Sequence, residues 1–231
     1  MKKFTVGVIQ MDSQDNVEKN LQTAVEFIGE AAARGAKLIA MPESMNYVGT
    51  DNAGHAENIP DGPTFCLMAE QAKKHHVWLH CGSIYEKNEK DPRPYNATMV
   101  IGPEGELAAK YHKIHPFDVI IPDGPVNKES DRICPGSEIV TVDTGEVGCL
   151  GLSICYDIRF AEMYRIMALE GAQLLLTPAD FTMPTGKDHW ETILRTRAIE
   201  NGCYVIAPAQ YGVKPNFQAY ANSVVIDPWG N

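Results

Sequence analysis

Val147-Gly-Cys-Leu-Gly-Leu-Ser-Ile-Cys-Tyr-Asp-Ile-Arg159 is the stretch from which the fold can be read. Up to Ile154 it is apolar or small and carries no charge, the pattern of a strand buried on both faces. At Cys155 the character changes. Phe160, Met163, Tyr164 and Met167 then recur at helical spacing, and Gly171 supplies a stop. The segment reads strand, turn, helix, with a cysteine at the turn.

The same alternation extends in both directions. Downstream, residues 173–177 form a strand, 187–201 a helix burying Trp190, Ile193, Leu194 and Ala198, and 204–209 and 219–226 two further strands. Upstream, residues 4–10 form the first strand. Asp15 with Glu18 three residues on has the form of a helix N-cap. Val17, Leu21, Ala24, Val25 and Ile28 continue that helix to Gly35. Strands follow at 37–41, 77–85, 96–101 and 106–111, with a helix at 64–75. The stretch 115–136, with prolines at 116, 122, 125 and 135 and a Pro122-Asp123-Gly124 turn, reads as an ordered functional loop. Interspersed strands and helices argue an α/β (α+β) fold, with helices covering stacked sheets.

Composition narrows the function. The 231 residues are 44% hydrophobic and 22% charged, which suits one domain with a sizeable core. A net charge of -10 argues against general nucleic-acid binding. Lys2 and Lys3 precede an apolar run, but Gln10 and Asp12 end it too early for a signal peptide. No apolar stretch approaches membrane-spanning length, so no membrane partner is expected. Cysteines 66, 81, 134, 149, 155 and 203 include no CxxC pair, which fits reduced thiols in a cytoplasmic protein.

Three segments carry candidate chemistry. Cys155 fits either an inert buried thiol or a nucleophile presented at a strand end near backbone N–H groups. Met41-Pro42-Glu43-Ser44 ends a buried strand on a carboxylate, which is either a turn cap or a general base. Lys110-Tyr111-His112-Lys113-Ile114-His115 is a basic run in an acidic chain, either a solvated strand end or the source of a cation beside the thiol. A Cys-His pair using His112 or His115 is an open alternative. His75, His76, His80 and Cys81 are close in sequence, but a helix end followed by a strand aims them apart. No HExxH or paired-cysteine motif is present, so no metal is expected.

Pro-Glu-Ser at 42–44, Tyr-His-Lys-Ile-His at 111–115 and Ile-Cys-Tyr-Asp-Ile-Arg-Phe at 154–160, in this order, resemble the nitrilase (carbon–nitrogen hydrolase) superfamily. The likeness extends to Asp61-Gly-Pro63, Tyr95-Asn96, Pro135-Gly136, Arg197-Ala198-Ile199-Glu200 and Asp227-Pro-Trp-Gly230. It implies a four-layer α-β-β-α sandwich and a Glu-Lys-Cys triad of Glu43, Lys113 and Cys155. Glu129 stands where the family carries a second glutamate supporting the lysine. The implied reaction hydrolyses a non-peptide carbon–nitrogen bond through a Cys155 thioester, with no cofactor and with Tyr156 N–H as an oxyanion donor.

The loop at 180–190 is most similar to the branch that includes deaminated glutathione amidase and the ω-amidases. The implied substrate is the primary amide of a small carboxylate. Nitriles and N-carbamoyl amino acids are the alternatives within the superfamily, and a catalytically silent binding or scaffold protein is the alternative outside enzymology. Arg159 is the candidate carboxylate clamp, or else a salt-bridge partner of Glu162 or Asp157. Phe181 and Thr185 are carried over as pocket residues, against core packing and helix capping respectively. The resemblance also implies a homodimer. One domain is expected over residues 1–231, ending before the C-terminal tail that relatives usually carry.

Overall fold

The computed structural model describes residues 3–120 and 126–231. The first half builds a six-stranded sheet. Strands β1 (Thr5–Val8), β2 (Ala36–Ala40) and β3 (Trp78–His80) run parallel. Strands β4 (Ile84–Glu86) and β6 (Leu107–His112) pair antiparallel with β5 (Tyr95–Ile101), as β3 does. The crossovers are helices α1 (Val17–Ala33) and α2 (Pro63–His75). A two-stranded hairpin, β7 (Asp118–Ile120) with β8 (Val126–Lys128), stands apart.

The second half builds a five-stranded sheet in the order β13-β12-β11-β10-β9. Its strands are β9 (Val140–Asp143), β10 (Cys149–Leu152), β11 (Leu174–Leu176), β12 (Tyr204–Ala207) and β13 (Val224–Ile226). The central three are parallel, and the edges β9 and β13 are antiparallel to them. Helices α3 (Ala161–Leu169) and α4 (Met183–Asn201) make the crossovers.

Side-chain alternation stacks these sheets. In β2, Leu38 and Ala40 belong to the core shared with the second sheet, and Ile39 to the core under α1 and α2. Trp78 and Leu79 in β3, and Val100 and Ile101 in β5, divide the same way. A strand buried on both faces needs apolar residues at every position, which is why these strands read as unbroken apolar runs. In β10, Leu150 and Leu152 are buried, while the intervening Gly151 lets α3 approach: a Cβ there would lie 3.0 Å from Met167 Sδ. The result is the α-β-β-α order expected.

Several expected boundaries move, each for a local reason. The cap of α1 is Asn16, whose Oδ1 accepts from Lys19 N–H, not Asp15. The strand expected over 77–85 is interrupted between β3 and β4. Gly82 takes φ +54 there, and a Cβ would sit 1.9 Å from the Pro42 carbonyl oxygen, so only glycine lets the chain pass beneath the 42–45 loop. Helix α4 starts at Met183 rather than 187, because Pro184 is tolerated in a first turn. The strand expected over 219–226 is regular only in β13, and that over 204–209 only in β12. The 115–136 stretch contains the β7–β8 hairpin and a 3-10 turn, Glu129–Asp131. Its Pro122-Asp123-Gly124 turn lies outside the described residues, as do Met1 and Lys2.

Candidate active site

Cys155 opens a 3-10 turn, Cys155–Arg159, directly after β10, and α3 begins only at Ala161. Its φ of +51 is left-handed, a conformation that costs a residue bearing a Cβ about 1–3 kcal/mol. The turn is over-determined by its surroundings. Cys155 N–H donates to the Pro178 carbonyl at 2.9 Å, and Asp157 N–H closes the turn on the Ile154 carbonyl at 3.1 Å. The Tyr156 N–H lies ahead of that first closing bond, where a helical turn leaves donors without an internal acceptor.

The Asp157 side chain, fully buried, anchors this elbow. Oδ2 accepts from Ile154 N–H at 2.9 Å and from the Tyr111 hydroxyl at 2.6 Å. Oδ1 accepts from His115 N–H at 3.1 Å and meets His115 Nδ1 at 2.7 Å. Arg197 braces it from behind, with Nε donating to the Ile158 carbonyl at 2.9 Å. Strand β6 and the elbow are thereby fastened together across the two sheets.

Glu43 and Lys113 come from loops at the ends of β2 and β6. Lys113 is 1% exposed, and its Nζ donates to Glu43 Oε1 at 3.0 Å and to Glu129 Oε2 at 2.9 Å. Its backbone is clamped: the N–H donates to the Asn96 carbonyl, and the carbonyl accepts from Gly136 N–H. Glu43 Oε1 also accepts from Asn96 Nδ2 at 2.9 Å, and Oε2 accepts from Asp180 N–H at 2.8 Å. Glu129 Oε2 further accepts from Phe117 N–H at 2.5 Å. The structure thus brings Glu43, Lys113, Glu129 and Cys155 into one buried cluster.

Charge in that cluster is coupled. Burial alone would lower the Lys113 pKa, but the carboxylates of Glu129 and Glu43 hold it well above the usual lysine value. Burial raises the Cys155 thiol well above the usual cysteine value, and the Glu43 charge raises it further. Lys113 opposes both, and a hydrogen bond between the thiol and Glu43 favours the protonated form. The thiol is thus held in its protonated form beside Glu43. A base within reach of a nucleophile's proton, and a fixed cation beside both, can carry acyl transfer.

Residues 5–231 match the carbon-nitrogen hydrolase family. The chain belongs to that family. It is 40% identical over 235 residues to a deaminated glutathione amidase of Synechocystis sp. (strain PCC 6803 / GT-S), covering 100% of this chain and 86% of that protein. It is 40% identical over 234 residues to the Homo sapiens omega-amidase NIT2, covering 100% and 83%. Two solved structures share its fold. The C. elegans NitFhit protein superposes with TM-score 0.89 at 40% identity over 97% of this chain, which spans 56% of that fusion chain. Saccharomyces cerevisiae Nit3, a member of branch 10 of the nitrilase superfamily, gives TM-score 0.88 at 30% identity over 97% of this chain and 82% of its own.

Around this family's cluster the remaining candidates take distinct places. Arg159 is half-buried, with its guanidinium 5.4 Å from the Tyr156 ring centre, 5.9 Å from that of Phe181 and 3.3 Å from His189 Nδ1. Among the described residues it has no carboxylate partner, neither Glu162 nor Asp157. Phe181 is buried against Trp190, ring centres 4.8 Å apart. Thr185 Oγ1 meets Thr182 Oγ1 at 2.9 Å in the first turn of α4, so its hydroxyl serves that helix terminus. His112 Nε2 is engaged by Glu86 at 2.5 Å and His115 Nδ1 by Asp157 at 2.7 Å, and among the described residues neither imidazole hydrogen-bonds Cys155. His76 is exposed near Glu104, whereas His80 is buried in the sheet and pushed down to about 3 by burial. Among the described residues no group of three or more His, Cys, Asp or Glu is arranged around a metal position.

Sequence reasoning missed Asn96, Asp157, Asp180, Gln210 and Lys214 as site residues. Asn96 and Asp157 stood inside the quoted motifs, and their value there was the signal available. Asp180 is half-buried, with Oδ1 shut off from solvent and unpartnered. Burial pushes its carboxyl up to about 8, against the opposing charge of Lys214 and with the Glu43 charge adding to the rise.

The electrostatics give a test. Glu43→Gln removes a negative charge beside Cys155, and a nearby negative charge disfavours the thiolate. The variant's thiol pKa should therefore fall. In a pH series of iodoacetamide labelling, read on the Cys155 peptide by mass spectrometry, the reactive limb should move to lower pH. A limb that stays put or moves up removes the coupling.

Proposed function

We propose that this chain is an amidase that hydrolyses the primary amide of a small carboxylate, releasing ammonia. One observation carries the reading: Glu43 and Lys113 converge on Cys155 inside a buried site whose rim bears Arg159, a guanidinium with no carboxylate partner among the described residues. The activities named for the two relatives, a deaminated glutathione amidase and an omega-amidase, support it.

In the proposed mechanism Glu43 accepts the thiol proton as Cys155 Sγ forms a bond to the amide carbon. The carbonyl π electrons move onto oxygen. Lys113 has three N–H donors, and Glu43 and Glu129 each engage it. Its remaining N–H and the Tyr156 N–H hold the oxyanion. The carbon–nitrogen bond then breaks as Glu43 passes its proton to nitrogen, and ammonia leaves a thioester. Water attacks that carbonyl while Glu43 takes its proton, and the carbon–sulfur bond breaks to release the acid and restore the thiol. Each oxyanion donor is worth roughly 2.7–4 kcal/mol in comparable sites.

Arg159 serves as the clamp for the substrate carboxylate, with Tyr156 and Phe181 as its aromatic walls. A guanidinium suits this role because its planar fork matches a carboxylate. We further propose a homodimer formed through the outer face of α3 and α4 and the adjoining strand ends. Leu169 and Trp229 are 80% and 84% exposed there, alongside Ile199, Tyr204 and Val225. No helix among the described residues is long and apolar enough to cross a membrane. The six unpaired thiols support a reducing compartment, the cytoplasm.

Four measurements test these readings. Cys155→Ala should abolish ammonia release from ω-amides of keto acids and from deaminated glutathione. With wild-type protein, rapid quench and mass spectrometry should catch an acyl adduct on Cys155. Normal turnover by Cys155→Ala would sink the nucleophile assignment. Arg159→Ala should raise KM for anionic amides about 10-fold or more while leaving neutral amides within about twofold, in line with a charged contact of ~1.5–3 kcal/mol. Equal effects on both substrate classes would remove the clamp. Light scattering should give twice the chain mass, and a monomer across micromolar concentrations would refute the dimer.

A further inference from the structure

The loop between β12 and β13 has little regular structure, yet it carries a lysine whose side chain is 0% exposed. Lys214 Nζ donates to Asp12 Oδ1 at 2.9 Å, to the Ser13 carbonyl at 2.9 Å and to Gln210 Oε1 at 3.2 Å. A buried ammonium is costly unless paired, so a lysine placed here calls for a use.

Gln210 is fully buried and its amide is fully used. Oε1 accepts from Ser13 N–H at 2.8 Å as well as from Lys214. Nε2 donates to Ser13 Oγ at 2.9 Å and to the Glu43 backbone carbonyl at 3.0 Å. A glutamine amide has two ends of nearly equal shape and opposite hydrogen-bonding character. Two donors at one end, one of them a full positive charge, fix the oxygen there. The NH2 end is thereby turned toward Glu43. Reversal would place an oxygen against the Glu43 carbonyl and an NH2 against an ammonium.

The same loop holds the nucleophile's side of the site. Gln210 N–H donates to the Ala179 carbonyl, and Ala179 N–H to the Pro208 carbonyl. Residue 179 lies between Pro178, which receives the Cys155 N–H, and Asp180, whose N–H meets Glu43 Oε2. One loop therefore sets the base's main chain and the segment under the thiol against each other. Ser13 Oγ extends the network by donating to the Met45 carbonyl at 2.9 Å, two residues beyond the base.

We propose that Lys214 and Gln210 are positioning residues for the base: the lysine fixes which way the Gln210 amide faces, and the amide holds the main chain of Glu43. This rests on the reading of Glu43 as the base. Both are closed off from solvent with their polar atoms bonded to protein groups, so the effect falls on kcat and not on binding.

A double-mutant cycle tests the chain of action. Lys214→Met keeps the length of the stem and removes the charge. Gln210→Glu keeps the shape and replaces the donor at Glu43 with an acceptor. Each should lower kcat for an anionic amide about 10- to 100-fold with KM within about twofold, in samples whose circular dichroism and thermal midpoint report a folded chain. The double variant should be no slower than the slower single, because both act through one contact. Lys214→Arg, which restores a donor cation, should recover part of the loss.

The Cys155 labelling rate with iodoacetamide at pH 8 gives the same cycle without any substrate. A displaced Glu43 acts differently on the thiol, so both singles should change the labelling rate several-fold and the double should change it no further than the larger single. An inactive wild type counts against the amidase reading, and the labelling cycle then decides this one. Singles that match wild type in both assays, or effects that multiply in the double, overturn the proposal.

Discussion

A buried ammonium held between two carboxylates is the constraint on which the rest of this structure depends. Lys113 has almost no contact with solvent, and an unpaired charge in such a place is costly enough that the group would lose its proton. Glu43 and Glu129 prevent that. Neither belongs to the element that carries the lysine. Glu43 follows β2, Lys113 follows β6, and Glu129 opens the 3-10 turn after the β7–β8 hairpin. Three loops must therefore meet before the charge is tolerable, and removing either acid leaves a buried ion under-paired at a cost of about 3–5 kcal/mol.

The two sheets meet at the site through polar anchors as well as apolar packing. Asp157 reaches from the elbow to Tyr111 and His115, at the end of the first sheet. Asn20, a buried amide on the apolar face of α1, donates to the carbonyls of Gln14 and Asn46 and so ties that helix to the loop that bears Glu43. Apolar layers slide with little penalty in register, whereas a buried amide or carboxylate accepts only the arrangement that satisfies it. Such groups convert a correctly layered fold into one with angstrom precision at Cys155. They also hold the cysteine in a left-handed conformation that its neighbours, not its own preference, dictate.

The alternation of strands and helices was legible because unbroken apolar runs, as in β2 and β10, give way to helical spacing, whereas the four-layer order came only with the family resemblance. The clustering of Glu43, Lys113 and Cys155 was legible from three short motifs taken together, since none of the three residues is distinctive alone. What stayed hidden depends on distant partners. Lys214 looks like any loop lysine, because two of its acceptors, on Asp12 and Ser13, lie about 200 residues away in sequence. The split of the expected 77–85 strand depends on how closely the Pro42 carbonyl passes Gly82. The start of α4 at Met183, ahead of the expected 187, takes in Pro184 and Gly186. Proline suits a first turn, and Gly186 is where the Tyr220 side chain packs against the helix. Arg159 offered two readings on spacing, and only its surroundings separate them.

The charge balance of the cluster connects these parts to chemistry. With Glu43 and Glu129 ionised, Lys113 protonated and Cys155 a thiol, the group carries one net negative charge. Ionising the thiol would add a second. Burial, with the Glu43 charge adding to it, lifts the neighbouring Asp180 carboxyl to about 8. In the proposed tetrahedral intermediate Glu43 is neutral and the oxyanion is charged, so the total is unchanged. The reaction moves a charge by a few ångströms past a fixed ammonium and creates none. A site this dry can support that step because its dipoles and ions are already in place. A substrate carboxylate would upset the balance if it bound inside the cluster. Arg159 stands outside it, among aromatic rings, where the proposed substrate carboxylate would meet its own partner and leave the charge of the cluster unchanged.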